Sequence, residues 1–528
     1  MVSGNAQVLP KRREYIYRAL PFVLSIVAFL FYTLWNEREG IWFDEGVTLS
    51  IIKHNWGDMF ERIVVDMQSP LYYLLLKLYG VIFGNSIGVL RSFSALGVIA
   101  TAMLGFGPLK RLLGRDVGVI FAIVWLILPV NFSRAMEIRM YPLSAFFTMG
   151  TVLFGFLVIK ENNFRDWIRF FLFSAVGIYT HYYAALAILY FWISMFFMFL
   201  FKKDNKSLKL LSTFGTALFI AYLPWFYFFV ANTDRIHEVI YVTEINIEDI
   251  LLAPFSIYLD KFSTIPSVLF YFFALVCIIS VSAIVWGIYC SFVLKERELL
   301  FIAWGIFLFL GVFVTEVLIA LFFHPLFEAR YIYPVIPLLV LEIVCGIKKM
   351  RSNKVKEIVL SLFFIGILPE IYCIALGVYD VPVKQAVENL REVVKKEDVF
   401  VHMNQLTGVV FSYYFRDNMH ILYTSPLVTN YGYIKTYKTY EPELFSFSSL
   451  MLPVLVGKTI WLVSDIHYPG CKELLEYVLK NYCEQKEGVK IFYSPWNWFN
   501  ILFVKVVLKK GIALDFLSYS NSRKKIRS

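Results

Sequence analysis

Two adjacent carboxylates, Asp44 and Glu45, lie in the string Trp42-Phe43-Asp44-Glu45-Gly46, just after the first long apolar stretch. That stretch, residues 20–35, carries no charge and is long enough to cross most of a bilayer. Acids at a membrane surface are costly to place, so they indicate a functional site by default. One of them could take a proton from an attacking hydroxyl. The simpler interpretation is that the pair only ends the helix at the water interface.

Further residues that could do chemistry recur in short strings between apolar runs. They are Lys77, Glu137, Arg139, His181, Arg330 and Tyr331. The planar fork of Arg suits a phosphate, and His can bind or transfer a proton near neutral pH. Each also has a simpler role. The arginines and Lys77 can extend to lipid headgroups, Glu137 can pair with Arg134 or Arg139, and His181 has no second His or Cys at metal-ligand spacing.

Composition indicates a membrane protein. Of the 528 residues, 59% are hydrophobic and 18% are aromatic, which excludes an ordinary soluble domain. The formal net charge is +10, but the basic residues cluster between apolar runs. A membrane surface therefore accounts for them better than nucleic acid does, and we expect no nucleic-acid partner.

Eleven apolar runs have the length and hydropathy of membrane spans. They lie near residues 20–35, 89–109, 116–132, 141–159, 167–180, 184–201, 210–230, 266–294, 299–322, 331–347 and 357–376. Residues 70–84 are also apolar but number only 15, which suits an interfacial helix better than a span.

Basic residues orient these spans, because cytoplasmic loops are enriched in Lys and Arg. One alternate set of connections is strongly basic: Lys11, Arg12, Arg13, Arg18, Lys110, Arg111, Arg115, Lys160, Arg165, Arg169, Lys202, Lys203, Lys206, Lys209, Lys295, Arg297, Lys348, Lys349, Arg351, Lys354 and Lys356. The opposite set is longer yet carries about half as many. We therefore expect a cytoplasmic N-terminus and, with an odd number of spans, a C-terminal part outside. The candidate site residues would then share the outer face.

The composition changes near residue 378. Residues 383–397 have the apolar spacing of an amphipathic helix, 398–402, 459–463 and 499–507 are typical of strands, and 472–481 of another helix. We expect a transmembrane domain over residues 1–377 and an extracytoplasmic α/β domain over 378–528, about the usual size for one core. In an oxidising compartment Cys471 and Cys483 could pair.

Seven strings occur in a fixed order along the chain. They are WFDEG, the run from Asp66 to Gly84 containing PLYYLLLKLYGVIFG, VLRSFSAL (89–96), KRLLGRDVG (110–118), EIRMYPL (137–143), THYYA (180–184) and ARYIYPVIPLL (329–339). Together they resemble the family 39 glycosyltransferases and their relatives, the protein O-mannosyltransferases and the aminoarabinose transferase of lipid A, which have the GT-C fold. The resemblance covers residues 20 to about 345. Many relatives have His-Pro-Pro or Lys-Pro-Pro where this chain has Gln68-Ser69-Pro70.

The resemblance implies an inverting, multi-pass enzyme of the plasma membrane. It would move a sugar from a polyprenyl-phosphate carrier to a hydroxyl or phosphate of a protein, lipid or glycan acceptor at the outer face. Asp44 matches the family's catalytic Asp, and we group Glu45 and Glu137 with it as catalytic carboxylates. Donor-phosphate binding is expected from Arg139, Arg330, Lys77, His181 and Tyr331. No cofactor is certain, and a divalent metal is an open expectation because related enzymes differ.

Two other classes of membrane protein fit the composition. A transporter has the same composition, but transporters tend to show internal repeats and helices broken near the midplane. Here the charged residues are expected at one face, and a large outer domain follows. A non-catalytic component of polysaccharide or lipid-sugar export is the third possibility, against which the intact Asp44-Glu45 pair argues.

Overall fold

Apolar helices make up most of the chain. In chain order the helices are α1 (Lys11–Thr33), α2 (Phe43–Ile52), α3 (Trp56–Val65), α4 (Pro70–Phe83), α5 (Ile87–Met103), α6 (Lys110–Leu113), α7 (Arg115–Ile127), α8 (Pro129–Ala135), α9 (Tyr141–Glu161), α10 (Phe164–Gly177), α11 (Tyr182–Phe201), α12 (Asn205–Ala231), α13 (Ile247–Leu252), α14 (Ser267–Val293), α15 (Glu298–Phe322), α16 (Ile336–Lys348), α17 (Asn353–Ala375), α18 (Val383–Arg391) and α19 (Gln405–Tyr414). A π-helical turn covers Gly105–Leu109, and 3-10 helices cover Ala253–Phe255 and Ala329–Val335.

The computed structural model describes residues 11–35, 40–231, 247–258, 267–293, 298–323, 327–377, 382–422, 444–446, 455, 458–465, 475–476, 478–480, 483–493 and 500–508. The chain packs as two compact units. Unit 1 comprises Met1–Asn36, Tyr79–Pro224 and Thr243–Ile374. Unit 2 comprises Glu37–Leu78, Trp225–Val242 and Ala375–Ser528.

The prediction of a polytopic membrane protein is confirmed. Within the described ranges, nine helices are long and apolar enough to span a membrane, and α7 with α8, bent by 62° at Leu128, make a tenth if they form one span. The eleventh predicted run, 167–180, corresponds to α10, which has only 14 residues. Its first turns hold Arg165, Asp166 and Arg169, so its apolar part is short. The interfacial candidate forms the single 14-residue helix α4.

In unit 1, helix α9 joins two polar regions. At its C-terminal end Arg111 donates to both carboxylate oxygens of Asp166, at 3.0 and 2.7 Å, and to Glu161 at 2.6 Å. The Asp166 side chain is fully buried and also accepts from Arg169 at 3.0 Å. This network fastens the ends of α9 and α10 together. The other end of α9, about 30 Å away at 1.5 Å per residue, carries the candidate site residues of this unit.

Unit 2 contains a six-stranded sheet in the order β3-β2-β1-β4-β6-β5. The strands are β1 (Val399–His402), β2 (Met419–Leu422), β3 (Leu444–Ser446), β4 (Ile460–Asp465), β5 (Cys483–Tyr493) and β6 (Asn500–Leu508). The first four are mutually parallel, and β6 runs antiparallel to both β4 and β5. Strand interiors such as Val399, Ile421, Leu462 and Val504 form its core.

The predicted α/β character of the C-terminal part is confirmed, with changes in detail. Strands β1, β4 and β6 match the predicted runs, and β2, β3, β5 and α19 were not predicted. The helix expected over 383–397 ends at Arg391. The turn that follows is closed by Asp398, whose carboxylate accepts the backbone N–H of Lys395 at 3.0 Å. In the expected helix 472–481, residues 475–476 and 478–480 are helical, and the others lie outside the described residues, as does Cys471.

Candidate active site

The acid pair opens helix α2 in unit 2. Trp42 is the extended residue before the helix, and Asp44 and Glu45 occupy its first turn, where the helix dipole favours negative charge. Glu45 is fully buried, and its Oε2 accepts the backbone N–H of Trp42 at 3.2 Å. Asp44 is only half-buried. The two acids therefore differ: Glu45 closes the first turn, whereas Asp44 keeps access to the surface of the unit.

Lys77, from α4, caps the opposite end of α2. Its Nζ donates to the carbonyl oxygens of Ile52 at 2.7 Å and His54 at 2.5 Å, the acceptors that a helix C-terminus leaves without partners. Ile52 is eight residues beyond Asp44, about 12 Å along the helix. Two of the three ammonium N–H donors are thus engaged in holding α2. A role for Lys77 on a donor phosphate stays a prediction.

In unit 1, Glu137 and Arg139 lie between α8 and α9. Both carboxylate oxygens of Glu137 accept from Arg134, at 2.6 and 2.7 Å, so its charge is already paired. Arg139 is buried, and its carbonyl oxygen accepts from Ser94 Oγ at 3.1 Å. A paired carboxylate is a poorer proton acceptor than one without a cation beside it, so a catalytic role for Glu137 stays a prediction.

Tyr141 stands at the centre of the unit 1 cluster. Its ring centroid lies 5.8 Å from the guanidinium carbons of both Arg134 and Arg139 and 5.4 Å from the ring of His181. The ring is fully buried, and its hydroxyl has no hydrogen-bond partner among the described residues. The aromatic face of Tyr141 stabilises the positive charge of both guanidinium groups.

His181 begins helix α11. Its Nδ1 accepts the backbone N–H of Tyr183 at 3.3 Å, so in the neutral ring the proton sits on Nε2. Burial, assisted by the positive charges of Arg139 and Arg330, lowers the pKa of His181 from 6.5 to about 3. His181 can therefore donate a hydrogen bond at neutral pH but carries no charge there.

This pKa has a testable consequence. Between pH 3 and 6.5 the folded protein holds this proton less well than the unfolded chain, so the contribution to stability grows as pH rises through that window and is complete above it. From pH 5 to 9 we expect no titration step from His181 in the kcat/KM profile, and His181→Gln should give a profile of the same shape. A step near pH 6.5 that disappears in His181→Gln would contradict the assignment.

Arg330 and Tyr331 lie in the 3-10 helix Ala329–Val335. Tyr331 stacks on Tyr183 with ring centroids 5.3 Å apart, and Arg330 Nε lies 3.4 Å from a carboxylate oxygen of Glu328. Glu316, on α15, is fully buried and accepts the backbone N–H of Glu328 at 3.2 Å. Glu316 thus anchors the segment that carries Arg330.

The structure sorts the predicted site residues into two groups, one in each unit. Asp44, Glu45 and Lys77 belong to unit 2; Glu137, Arg139, His181, Arg330 and Tyr331 belong to unit 1. Tyr141 and Glu316 were missed. Tyr141 lies within the EIRMYPL string, and Glu316 is the only charged residue in the apolar run 301–322, which marks a functional residue by the same reasoning as Asp44. No three His, Cys, Asp or Glu side chains in the described ranges group as metal ligands.

Comparison with known proteins gives a consistent result. Residues 67–228 match the family model of dolichyl-phosphate-mannose-protein mannosyltransferase, and comparison with curated proteins gives no match. The crystal structure of ArnT from Cupriavidus metallidurans bound to undecaprenyl phosphate aligns over 96% of this chain and 99% of that chain, with 11% identity and a TM-score of 0.60. The apo state aligns over 94% and 98%, with 11% identity and a TM-score of 0.58.

A further solved structure is the Archaeoglobus fulgidus oligosaccharyltransferase in complex with Zn and sulfate. It aligns over 90% of this chain and 72% of that chain, with 13% identity and a TM-score of 0.48. The matched segment of the family model contains Lys77, Glu137, Arg139 and His181. The family match over residues 67–228 and the fold shared with ArnT confirm the resemblance drawn from the ordered strings: the chain is a multi-pass membrane protein with the GT-C fold.

Proposed function

We propose that this enzyme moves a sugar from a polyprenyl-phosphate carrier to an acceptor hydroxyl at the outer face of the plasma membrane, with inversion at the anomeric carbon. The observation that carries the proposal is the unit 1 cluster at the end of apolar helices. In it the Arg139 guanidinium lies 5.8 Å from the ring of Tyr141, and the ring of His181 lies 5.4 Å from that of Tyr141 and 5.8 Å from that of Tyr331, the neighbour of Arg330. Such a cluster suits one phosphate attached to a long apolar chain. The undecaprenyl phosphate in the similar structure of ArnT supports the same ligand class.

In the proposed reaction a base acts on the acceptor hydroxyl, and two cationic side chains act on the leaving phosphate. The acceptor oxygen attacks the anomeric carbon while the bond from that carbon to the phosphate oxygen breaks, and the electron pair leaves with the polyprenyl phosphate. Asp44 takes the acceptor proton. Arg139 and Arg330 stabilise the charge that develops on the leaving phosphate. A phosphate departs without protonation, so no general acid is required, and one displacement inverts the centre.

An apolar groove in unit 1 supports a lipid carrier. It has a volume of about 640 Å³ and is lined from α11 by Tyr190, Ile193 and Phe197 and from α15 by Trp304 and Phe307. The same two helices carry Tyr183 and Glu316 nearer their other ends. An isoprenoid chain that enters this groove leaves a bilayer of equal polarity, so van der Waals packing against the aromatic lining would hold it. We assign the carrier's tail to this groove.

We also propose how the chain is oriented in the membrane. The N-terminus is cytoplasmic and residues 378–528 are extracytoplasmic, because the basic residues fall in alternate connections. Transfer then uses carriers whose sugar is already exposed outside. The acceptor is a protein, a lipid or a growing glycan, and each of these can present a hydroxyl.

The donor class can be tested with purified full-length protein in detergent or liposomes. We expect transfer from a short polyprenyl-phosphate sugar and competition by undecaprenyl phosphate. A matched reaction with a nucleotide sugar and no lipid carrier should give none. Turnover with the nucleotide sugar alone would contradict the proposal.

A further inference from the structure

Helix α2 packs tightly against helix α19 within unit 2. A Cβ placed on Gly46 would lie 2.8 Å from Cγ1 of Val409, well inside the roughly 3.5–4.0 Å of ordinary carbon contacts. Val409 is almost fully buried. Only glycine therefore lets the first turn of α2 approach α19 this closely, and Gly46 is two residues from Asp44.

The segment that precedes α2 is held by helices α18 and α19 of the same unit. The backbone N–H of Ile41 donates to the Tyr414 hydroxyl, at the end of α19, at 2.9 Å. A Cβ on Gly40 would lie 2.8 Å from both the backbone nitrogen of Lys384 and Cβ of Val383, on α18. The seven residues from Gly40 to Gly46, which include Asp44, are thus held on both sides by elements more than 340 residues later in the chain.

Helix α19 is itself firmly held. Phe411 packs edge-on against Phe503 of β6, with ring centroids 5.1 Å apart. Asn404 caps the helix by accepting from the backbone N–H of Thr407 at 3.0 Å. Thr407 Oγ1 lies 3.2 Å from Nδ1 of the buried His402 on β1. A helix fixed at its first turn and through its middle to the sheet is a rigid support.

We propose that Val409 and Tyr414 are positioning residues that set the place of the Asp44 carboxylate. The inference rests on the proposed function, in which Asp44 is the base. A displacement of about 1 Å from a reactive geometry can cost about a hundredfold in rate, and the extra methyl of an alanine at Gly46 demands a shift of about that size. The C-terminal domain would thereby take part in catalysis without touching substrate.

The direct test is a suppressor pair. Gly46→Ala should lower kcat by about ten- to a hundredfold and leave KM for the lipid donor within about twofold. Val409→Ala removes the opposing Cγ1. The kcat of the double variant Gly46→Ala/Val409→Ala should therefore be at least tenfold higher than that of Gly46→Ala alone. Gly57→Ala on α3, where the added Cβ has no contact closer than 3.5 Å, is the matched control and should keep wild-type kcat. No recovery in the double variant would overturn the proposal.

A second pair of variants distinguishes misplacement of Asp44 from a general loss of folded structure. If Gly46 acts through Asp44, Gly46→Ala should cost little further activity in an Asp44→Asn background. Tyr414→Phe removes the acceptor of the Ile41 N–H. It should also lower kcat and leave KM for the lipid donor within about twofold. Thermal unfolding of the purified variants serves as the folding readout. Full additivity of Gly46→Ala with Asp44→Asn would overturn the inference even if suppression is seen.

Two variants distinguish an error in the assigned base from an error in the positioning role. If Asp44→Asn is fully active, the proposed base is wrong, and a positioning role for Val409 and Tyr414 toward Asp44 falls with it. If Asp44→Asn is inactive but Gly46→Ala is as active as Gly57→Ala, the base stands and only the positioning role is overturned. Suppression of Gly46→Ala by Val409→Ala, together with non-additivity of Gly46→Ala and Asp44→Asn, supports both the base and the positioning role.

Discussion

Asp44→Asn is expected to lower transfer by about 10²–10⁴-fold, the usual contribution of general-base catalysis. Asparagine keeps the size of the side chain and its capacity to accept a hydrogen bond, but it no longer takes a proton from the acceptor. Folding should be preserved, since Asp44 is half-buried at the helix start. Initial rates with saturating lipid donor, measured beside folded yield, check this.

Two other carboxylates serve as controls for Asp44. Glu45→Gln retains an oxygen that accepts the Trp42 N–H, so its rate should stay within about tenfold of wild type, by comparison with the contribution of a general base. Glu137→Gln keeps an acceptor for Arg134 and should behave alike. An active Asp44→Asn together with an inactive Glu45→Gln or Glu137→Gln would mean that the base is another carboxylate. Full activity in all three would exclude the mechanism.

Arg139→Gln and Arg330→Gln are each expected to lower kcat by about 10²–10³-fold, as removal of one donor to a developing oxyanion does. Each loses the charge that stabilises the departing phosphate. Lysine at either position should recover part of the loss, because it restores charge without the planar fork. The measurement is kcat and KM for the lipid donor, with undecaprenyl phosphate as a competitive inhibitor.

Arg165→Gln is the matched control for these arginines. Arg165 is exposed at the start of α10, near the end of α9 opposite to the site, and should leave both constants unchanged. If Arg139→Gln and Arg330→Gln bind undecaprenyl phosphate and turn over like Arg165→Gln, the phosphate is held elsewhere.

Local pattern was enough to predict ten of the apolar spans and three strands of the sheet, because a run of apolar residues, as in the fully buried strands β1 and β4, is a property of contiguous residues. It was not enough for the strand Cys483–Tyr493, whose sequence CEQKEGVKIFY is charged through its first half and takes its place by pairing with β6. The run 167–180 was predicted to be a span, but α10 has the same 14 residues of length and begins three residues earlier, because Asp166 is buried through ion pairs that only the fold supplies.

The candidate site, like the fold, could be predicted from the sequence only in part. The position of Asp44 and Glu45 after the first span and the ordered strings were visible in the sequence. The different roles of the two acids were not, since they depend on which carboxylate turns back to the Trp42 N–H. Nor could residue spacing show that Lys77 binds the carbonyls of Ile52 and His54, because that contact depends on the turn between α2 and α4.

The packing of α2 against α19 also bears on how the molecule can be divided for study. A fragment cut at the C-terminal side of the last span would retain α19 but lose α2, and Val409 would then face water. Apolar surface exposed in this way favours self-association. Unit 2 is discontinuous in sequence, so its smallest faithful version must include the chain around residues 40–52 as well as the C-terminal sheet.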